Sequence, residues 1–379
     1  MHAVALTRAA IIAPIVSVLE RVGAPVDRLL AKAGVPAWAR TDPEMLIPTW
    51  SIARLLAEGA RSQAIENLGF FAGREARIES LGIFGRLIRS SRTLGEALQR
   101  LVVDHRMFSS DGRVWLRACG EYVELCQAFM NMFDKSDTGW QQASHYVLML
   151  MLDIVRLGGR PTWRPAEVHL QTGESAVLRD AEPLAAARLT FGQRATSIAI
   201  PRTLLDEPLS QPDPDVQVPR ESIEAWRESA PARDFVASIV QAVEMLSWEG
   251  YPDIHQTAEF LGVSVRTLQR HLAEAGITHE SLIGRARFAT AAAVLEETNT
   301  KILDIALDLG YSDHAHFTRA FGRWAGCSPQ EYRRKRRQMA SGSKVASSAL
   351  VRLTKPSRKQ PRKQNRSHGG GCHGEGTVA

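Results

Sequence analysis

Cysteine is scarce in this chain: four residues in 379, at positions 119, 126, 327 and 372, with no C-x-x-C pair among them. Such spacing supplies neither a disulfide framework nor a zinc cassette, and it fits a reducing cytoplasm. Long apolar runs are missing as well. The most apolar stretch, Tyr146 to Leu152, falls far short of the roughly 20 residues that a membrane span needs, and is read as buried helix. The apolar segment Ala9 to Leu19 behind Arg8 has the look of a signal-peptide core. Pro14, the pair Glu20-Arg21 and the amphipathic stretch Val26 to Leu30 make it instead the first helix of a folded domain. Catalytic motifs are absent too: there is no phosphate-binding glycine loop, no G-x-S-x-G and no H-E-x-x-H, and the acids are scattered. These absences argue against an enzyme and imply no cofactor and no metal. Cys119 and Cys126 fall in alternating, strand-like sequence and are read as two buried thiols rather than alkyl acceptors.

One sign of charge is nearly missing from the C-terminal end. Residues 333–379 hold 13 Lys and Arg against a single acid, Glu375, whereas the 332 residues before them hold 34 against 40. The basic character of the chain therefore belongs to its tail. From Met339 onward that tail is Ser, Gly, Lys, Arg and Gln, with almost nothing to bury, and is expected to be disordered. His368, Cys372 and His373 within it make a weak metal candidate.

What the chain does contain is a repeat. Ala258, Leu261, Gly262, Val263, Ser264, Leu268 and Arg270 are matched by Ala306, Leu309, Gly310, Tyr311, Ser312, Phe317 and Arg319. The offset is 48 residues up to the serine and 49 beyond it. Each position has a mechanical reason. The small alanine lets a second helix cross closely, the glycine turns the chain past a helix end, and the apolar residue after it plugs the corner. Ser264 and Ser312 then cap the next helix. This is helix-turn-helix grammar, in which the second helix enters the major groove of DNA.

The second helix of the first copy is predicted from about Val265 to Ala275. Leu268 and Leu272 form its inward stripe, and Arg266, Gln269 and Arg270 share another face. Arginine can donate bidentately to guanine and glutamine can pair with the adenine edge, so these three suit base recognition, with Thr267 beside them. A solvated face of an ordinary amphipathic helix has the same composition, and the repeated turn is what favours DNA. In the second copy Phe317 and Phe321 point inward, leaving His314, Ala315, Thr318 and Arg319 toward the groove. Histidine and alanine hydrogen-bond poorly to bases, so weaker readout, leaning on apolar and phosphate contact, is expected there. For His271, His314 and His316 a structural role competes evenly with base contact.

Between the copies Thr278 to Glu297 reads as one alanine-rich helix about 30 Å long, close to the helical turn of B-DNA at ~34 Å. The unit opens with Asp253 and Gln256 in a capping box and closes with Gly326, then Ser328, Pro329 and Glu331 as cap, first helical residue and box partner.

Taken together, Arg287, Ala291, Ile305-Ala306, Leu309 to Asp313, Phe317, Arg319, Phe321, Trp324, Gly326, Ser328-Pro329 and Tyr332-Arg333 resemble the DNA-binding domain of the AraC/XylS family of bacterial transcription regulators. The resemblance covers about a hundred residues, from near Asp234 to Arg337. It implies groove-facing roles for Arg266, Gln269 and Arg270 in the first reader and for His314, Ala315 and Arg319 in the second.

Upstream, residues 5–60 give short helical patterns broken at Pro25, Pro36 and Pro43. Leu81 to Arg89 and Thr93 to Phe108 follow as helices, the latter opening on Thr93 and Glu96. The period then switches to two, with strands at Val114 to Ala118 and Tyr122 to Ala128. A helix from Thr138 to Leu157 and strand candidates at Val168 to Gln171 and Ser197 to Ile200 complete an α+β domain. Pro48, Leu81 to Gly85, Ser91 to Leu98, His105, Trp163 to Pro165 and Phe191-Gly192 resemble the effector-binding domain of the AraC subgroup that includes regulators of amino-acid catabolism. The expected layout is an α+β effector-binding and dimerisation domain over residues 1–205, a proline-rich linker over 206–232 with a short helix at Ile223 to Arg227, an all-α double helix-turn-helix domain over 233–337 and a basic tail over 338–379. A cytoplasmic, nucleoid-associated regulator follows, an activator by resemblance. It binds double-stranded promoter DNA and an unidentified small molecule, works with RNA polymerase, and can form a homodimer; no membrane partner is implied. The rival reading is a weakly specific, nucleoid-type DNA-binding protein using the tail. An effector pocket is expected between the strands around Val114 to Ala128 and the helix carrying Met149 and Met151, while Met130 and Met132 are read as core.

Overall fold

The computed structural model describes residues 3–129, 137–158, 161–209, 218–247 and 250–342. The tail from residue 343, with His368, Cys372 and His373, lies outside them, as do Met130 and Met132 and the linker prolines at 212 and 214. The first domain begins with strand β1 (Leu6–Arg8) and helices α1 (Ala13–Arg21) and α2 (Val26–Ala33). Strand β2 (Leu46–Pro48) pairs antiparallel with β1, Leu6 opposite Pro48 and Arg8 opposite Leu46. These two strands correct the all-helical expectation for residues 5–60. Three residues each are too few to display a period of two, and their pairing across some forty residues is non-local.

Helices α3 (Thr49–Gln63), α4 (Leu68–Glu75), α5 (Gly82–Arg89) and α6 (Leu94–Phe108) follow. At the start of α6 the Thr93 side chain accepts from Glu96 N–H, while the Glu96 carboxylate reaches back to Arg92 N–H. Strands β3 (Arg113–Cys119) and β4 (Tyr122–Ala128) form the expected hairpin. Helix α7 (Thr138–Arg156) is capped by Asp137 and packs across α3 and α4. Gly69 of α4 permits that approach, since a Cβ there would lie 2.0 Å from the Gln142 carbonyl oxygen. Then come β5 (Glu167–His169), α8 (Ala176–Asp180), β6 (Arg188–Thr190) and β7 (Thr196–Pro201). The large sheet runs β3-β4-β7-β5-β6, antiparallel except for the β5–β6 pair. One face of it and helices α1–α7 enclose a single continuous apolar core. Cys126 is buried in β4, but Cys119 at the end of β3 is exposed, so the pair are not both core thiols.

Helix α9 (Arg220–Glu228) lies inside the stretch read as linker, and it does not hang free. Its Trp226 is buried in the first domain's core and stacks on Phe84 at 6.4 Å. Arg8 of β1, 1% exposed, fixes this junction by donating to the carbonyls of Met107 (3.2 Å), Glu44 (2.5 Å) and Trp226 (2.7 Å) and to Ser229 Oγ (3.2 Å). Burial holds its guanidinium down at about 10, yet it stays charged at neutral pH and its donors are matched.

The second domain is all helix: α10 (Phe235–Leu246), α11 (Ile254–Phe260), α12 (Val265–Glu274), α13 (His279–Glu297), α14 (Ile302–Asp308), α15 (His314–Ala325) and α16 (Pro329–Gly342). It holds two cores. One, around Ile239, Val243, Ala258, Leu268 and Leu272, is completed by Val4, Leu6 and Leu46 of the first domain. The other, around Ala291, Leu295, Phe317 and Phe321, uses residues of the second domain alone. Among the described residues no helix is long and apolar enough to cross a membrane.

Candidate functional site: a paired DNA interface and an apolar cavity

The first helix-turn-helix is α11, a turn and α12. Asp253 and Gln256 make the reciprocal capping box at its entry, each bond 2.8 Å. Gly262, at φ +68°, bends the chain, and the Ser264 side chain accepts from Thr267 N–H at 3.1 Å to start α12. Leu268 and Leu272 are buried, so Arg266, Gln269 and Arg270 are left exposed together on the opposite face. Thr267 is half-buried and its hydroxyl is bonded to Ser264 Oγ at 2.8 Å, which makes it part of the cap. Arg270 lies 3.9 Å from Glu274, a loose surface ion pair that leaves the guanidinium available.

The second unit, α14, a turn and α15, repeats this with one change. Gly310 sits at φ +75°, but the cap of α15 is Asp313, whose carboxylate accepts from His316 N–H at 2.7 Å. Ser312 instead donates to that carboxylate at 3.2 Å, which corrects its expected capping role. A carboxylate is the stronger acceptor and its charge favours a helix N-terminus. The extra residue in the offset between the copies is therefore the displaced cap. His314, Ala315 and Arg319 are exposed, whereas Thr318 is half-buried and its hydroxyl oxygen is shut from solvent. The exposed row of this helix thus carries His314, Ala315 and Arg319 where α12 carries two arginines and a glutamine.

Helix α13 joins the units, packing on α10 at one end and on α15 and α16 at the other. Thr278 caps it and forms a reciprocal box with Ser281. From its middle the Arg287 guanidinium lies 4.7 Å from the Tyr251 ring, which precedes the first unit, and 5.0 Å from the Tyr311 ring in the second unit's turn. At the far end Ser328 and Glu331 cap α16 as expected, and Arg333 donates to the carbonyls of Leu295 and Thr300.

The first domain holds a cavity of about 110 Å³. It lies where the sequence placed a pocket, walled by Val114 and Gln127 of the β3–β4 hairpin and by Val147, Leu150 and Met151 of α7; Met149 is buried instead against α4. The sequence did not disclose the other wall. Thr7 of β1 and Thr49 at the start of α3 line the cavity, while their neighbours point the other way. Leu6 completes the first reader's core, and Trp50 Nε1 donates to the Phe260 carbonyl at 3.1 Å. Alternation along a strand explains the first pair and the 100° step of a helix the second. A partition one residue thick thus separates the cavity from the first reader.

A helical pair with two exposed second helices behind an α+β domain with an internal cavity is the build of a DNA-binding regulator with a sensor. Comparison with known proteins gives the same result. Residues 23–209 match the family described as the arabinose-binding domain of AraC transcription regulator, N-terminal, and residues 257–335 match a helix-turn-helix domain family. An ornithine utilization regulator of Pseudomonas aeruginosa is 27% identical over 276 residues, 70% of this chain and 78% of that protein. The regulator VirS of Mycobacterium tuberculosis is 29% identical over 184 residues, 48% of this chain and 53% of its own. Among solved structures, the transcriptional regulator CdpR of P. aeruginosa aligns over 82% of this chain and 96% of its own, at 21% identity and a TM-score of 0.36. The chain belongs to the AraC/XylS family: it is a transcription regulator with a helix-turn-helix DNA-binding domain and an effector domain of the arabinose-binding type.

Proposed function

We propose that this regulator reads promoter DNA chiefly through Arg266, Gln269 and Arg270, with the second unit anchoring the complex, and that a small molecule in the first domain's cavity biases that reading. The observation that carries the proposal is the grouping of these three long side chains, all exposed, on one face of the capped helix α12. Ala315 and the histidines on α15 suit apolar and backbone contact, and Arg319 suits a phosphate or a guanine. The one-residue partition supports control by a ligand, because movement of Thr7 or Thr49 is movement of Leu6 or Trp50 against the reader. We assign the chain to the cytoplasm, with activation through RNA polymerase as its output and a homodimer as its assembly.

The test of the base-reading residues is a pair of binding isotherms for Arg270→Ala and Gln269→Ala. Each should lose about 1 to 3 kcal/mol on the operator, found by footprinting upstream of the chain's own coding region, and less on random DNA. Equal losses on both would reduce these residues to phosphate contacts.

A further inference from the structure

The cavity wall carries information about what fills it. Two thirds of the side chains lining it are aliphatic or aromatic, among them Phe84, Phe108 and Leu150, and among the described residues no lysine or arginine lines it. Several of its polar groups are already engaged. Tyr146 Oη donates to the Ile11 carbonyl at 2.9 Å, Thr7 Oγ1 to the Phe108 carbonyl at 3.4 Å, and Ser109 Oγ accepts from Asp111 N–H at 3.2 Å. Two are left over. Asp111 Oδ2 and Thr49 Oγ1 are buried with no hydrogen-bond partner among the described residues, in residues only 6% and 8% exposed. A buried acceptor without a donor is costly and asks for a reason. Burial pushes the Asp111 carboxyl up to about 7, opposed only by the Gly112 N–H, and His105, the other titratable group on the wall in this range, is pushed down to about 4 by burial and then by the Arg106 charge. At neutral pH the wall therefore offers a part-ionised carboxylate, a hydroxyl, the Gln127 amide and the neutral His105 ring, and among the described residues no positive charge.

We propose that this cavity takes a compact, mainly apolar molecule with one hydrogen-bond-donating head, an ammonium or a hydroxyl, and no carboxylate or phosphate. The head rests on Asp111 and Thr49, and the hydrocarbon body on Phe84, Phe108 and Leu150. Size agrees, since the cavity is of the order of the roughly 150 Å³ apolar space that holds one benzene molecule. A pentose fits poorly, because each buried hydroxyl without a partner is penalised. An α-amino acid fits poorly too: its carboxylate finds no cation among the described residues of the wall and meets Asp111 instead. The ligand class thus departs both from the sugar in the domain family's description and from the amino acid in the relative's name. This inference rests on the reading of the first domain as a sensor.

Calorimetric titration of the full chain at neutral pH with benzylamine, benzyl alcohol and benzoate, one ring with three heads, tests it alongside arabinose and ornithine. The amine and the alcohol should bind, with benzoate weaker by roughly tenfold or more, a difference of about 1.4 kcal/mol. Asp111→Asn should cost the amine roughly tenfold relative to the alcohol, and Thr49→Val should weaken both, which keeps the test decisive if the first variant does not fold. Benzoate binding as tightly as the amine, arabinose or ornithine binding more tightly than all three, no binding by any ring compound, or indifference to both substitutions would each overturn the ligand class. Operator footprints with saturating benzylamine separate the two claims. Binding through Asp111 that leaves the footprint unchanged preserves the ligand class and removes the sensor reading; arabinose or ornithine binding that alters the footprint does the reverse.

Discussion

The two helix-turn-helix units share one turn grammar and stand in different surroundings. The first completes its core with Val4, Leu6 and Leu46 from the other domain and keeps Trp50 against its turn, whereas the second closes over its own aromatic cluster, Phe317 lying 5.7 Å from Phe321 and 5.4 Å from Tyr311. The unit with the richer set of exposed hydrogen-bonding side chains is the one wired to the cavity. A duplicated motif therefore need not duplicate a role. One copy shares its core with the sensor domain, and the other closes its own.

The sharpest way to break this comparison is to hollow each core. Phe317→Ala should cost about 3 to 5 kcal/mol and Leu6→Ala about 2 to 5. Hydrogen exchange should show the first confined to α14–α16 and the second spreading into both α10 and the cavity walls. A Leu6→Ala effect that stops at β1 would dissolve the distinction.

The turn glycines sharpen it further. Both have positive φ, but a Cβ on Gly262 would lie 2.7 Å from Trp50 Nε1, whereas at Gly310 the nearest atom is Arg287 Nη2 at 3.8 Å. Gly310→Ala should cost only the left-handed backbone penalty, about 1 to 2 kcal/mol. Gly262→Ala should exceed it by about 1 kcal/mol, and the excess should vanish in a Trp50→Ala background, a coupling of the size found for residues in contact. Thermal unfolding of the four variants measures it.

On the reading face the asymmetry should be plainest in His314→Ala, which should change operator affinity by less than about 0.5 kcal/mol, as exposed sites without special partners do. Gel-shift titration measures that, and a loss as large as that of Arg270→Ala would make the two helices equal readers. The smallest effect is in pH. Asp111 has its folded pKa raised from 3.8 to about 7, so its contribution to stability is full below the unfolded value and is lost as pH rises from about 4 through 7. His105 and His145 are depressed to about 4, so theirs runs the other way, lost as pH falls from 6.5 toward 4. Chemical denaturation across that range should show Asp111→Asn gaining stability over the parent as pH rises, with little difference near pH 4.

Much of this was written locally in the sequence, and what was not has a common cause. Capping residues, glycine turns and the period-two hairpin are signals within a few residues, so α6, β3, β4, α7 and the first reader helix α12 fall within a residue or two of expectation. The two short strands β1 and β2 carry no period, and Arg8 looks like a stray charge ahead of an apolar run until its four acceptors, drawn from β2's approach, α6 and α9, are seen around it. Trp226 is likewise a linker residue by composition and a core residue by contact. The exposed row on α12 was readable because it needs only helical spacing. The Asp111–Thr49 pair was not, because it is assembled from the start of α3 and the turn between α6 and β3, just over sixty residues apart. Ser312 misled because serine and aspartate are both good caps and adjacent, and only geometry chooses between them.

Arg287, held between Tyr251 and Tyr311, bears on the DNA rather than on the protein. Attraction between a cation and two ring faces in a half-buried place is screened less by salt than a surface ion pair, so the two turns are expected to keep their spacing across the ionic strengths at which DNA affinity itself varies widely. An operator read by such a pair is one word printed on one face of the duplex, with no elastic gap in its middle. A single base pair inserted there displaces the second segment by about 3.4 Å and turns it by roughly a tenth of a helical turn. With Arg287 holding both turns the pair is expected not to follow, which would make the spacing of letters as much a part of the message as the letters.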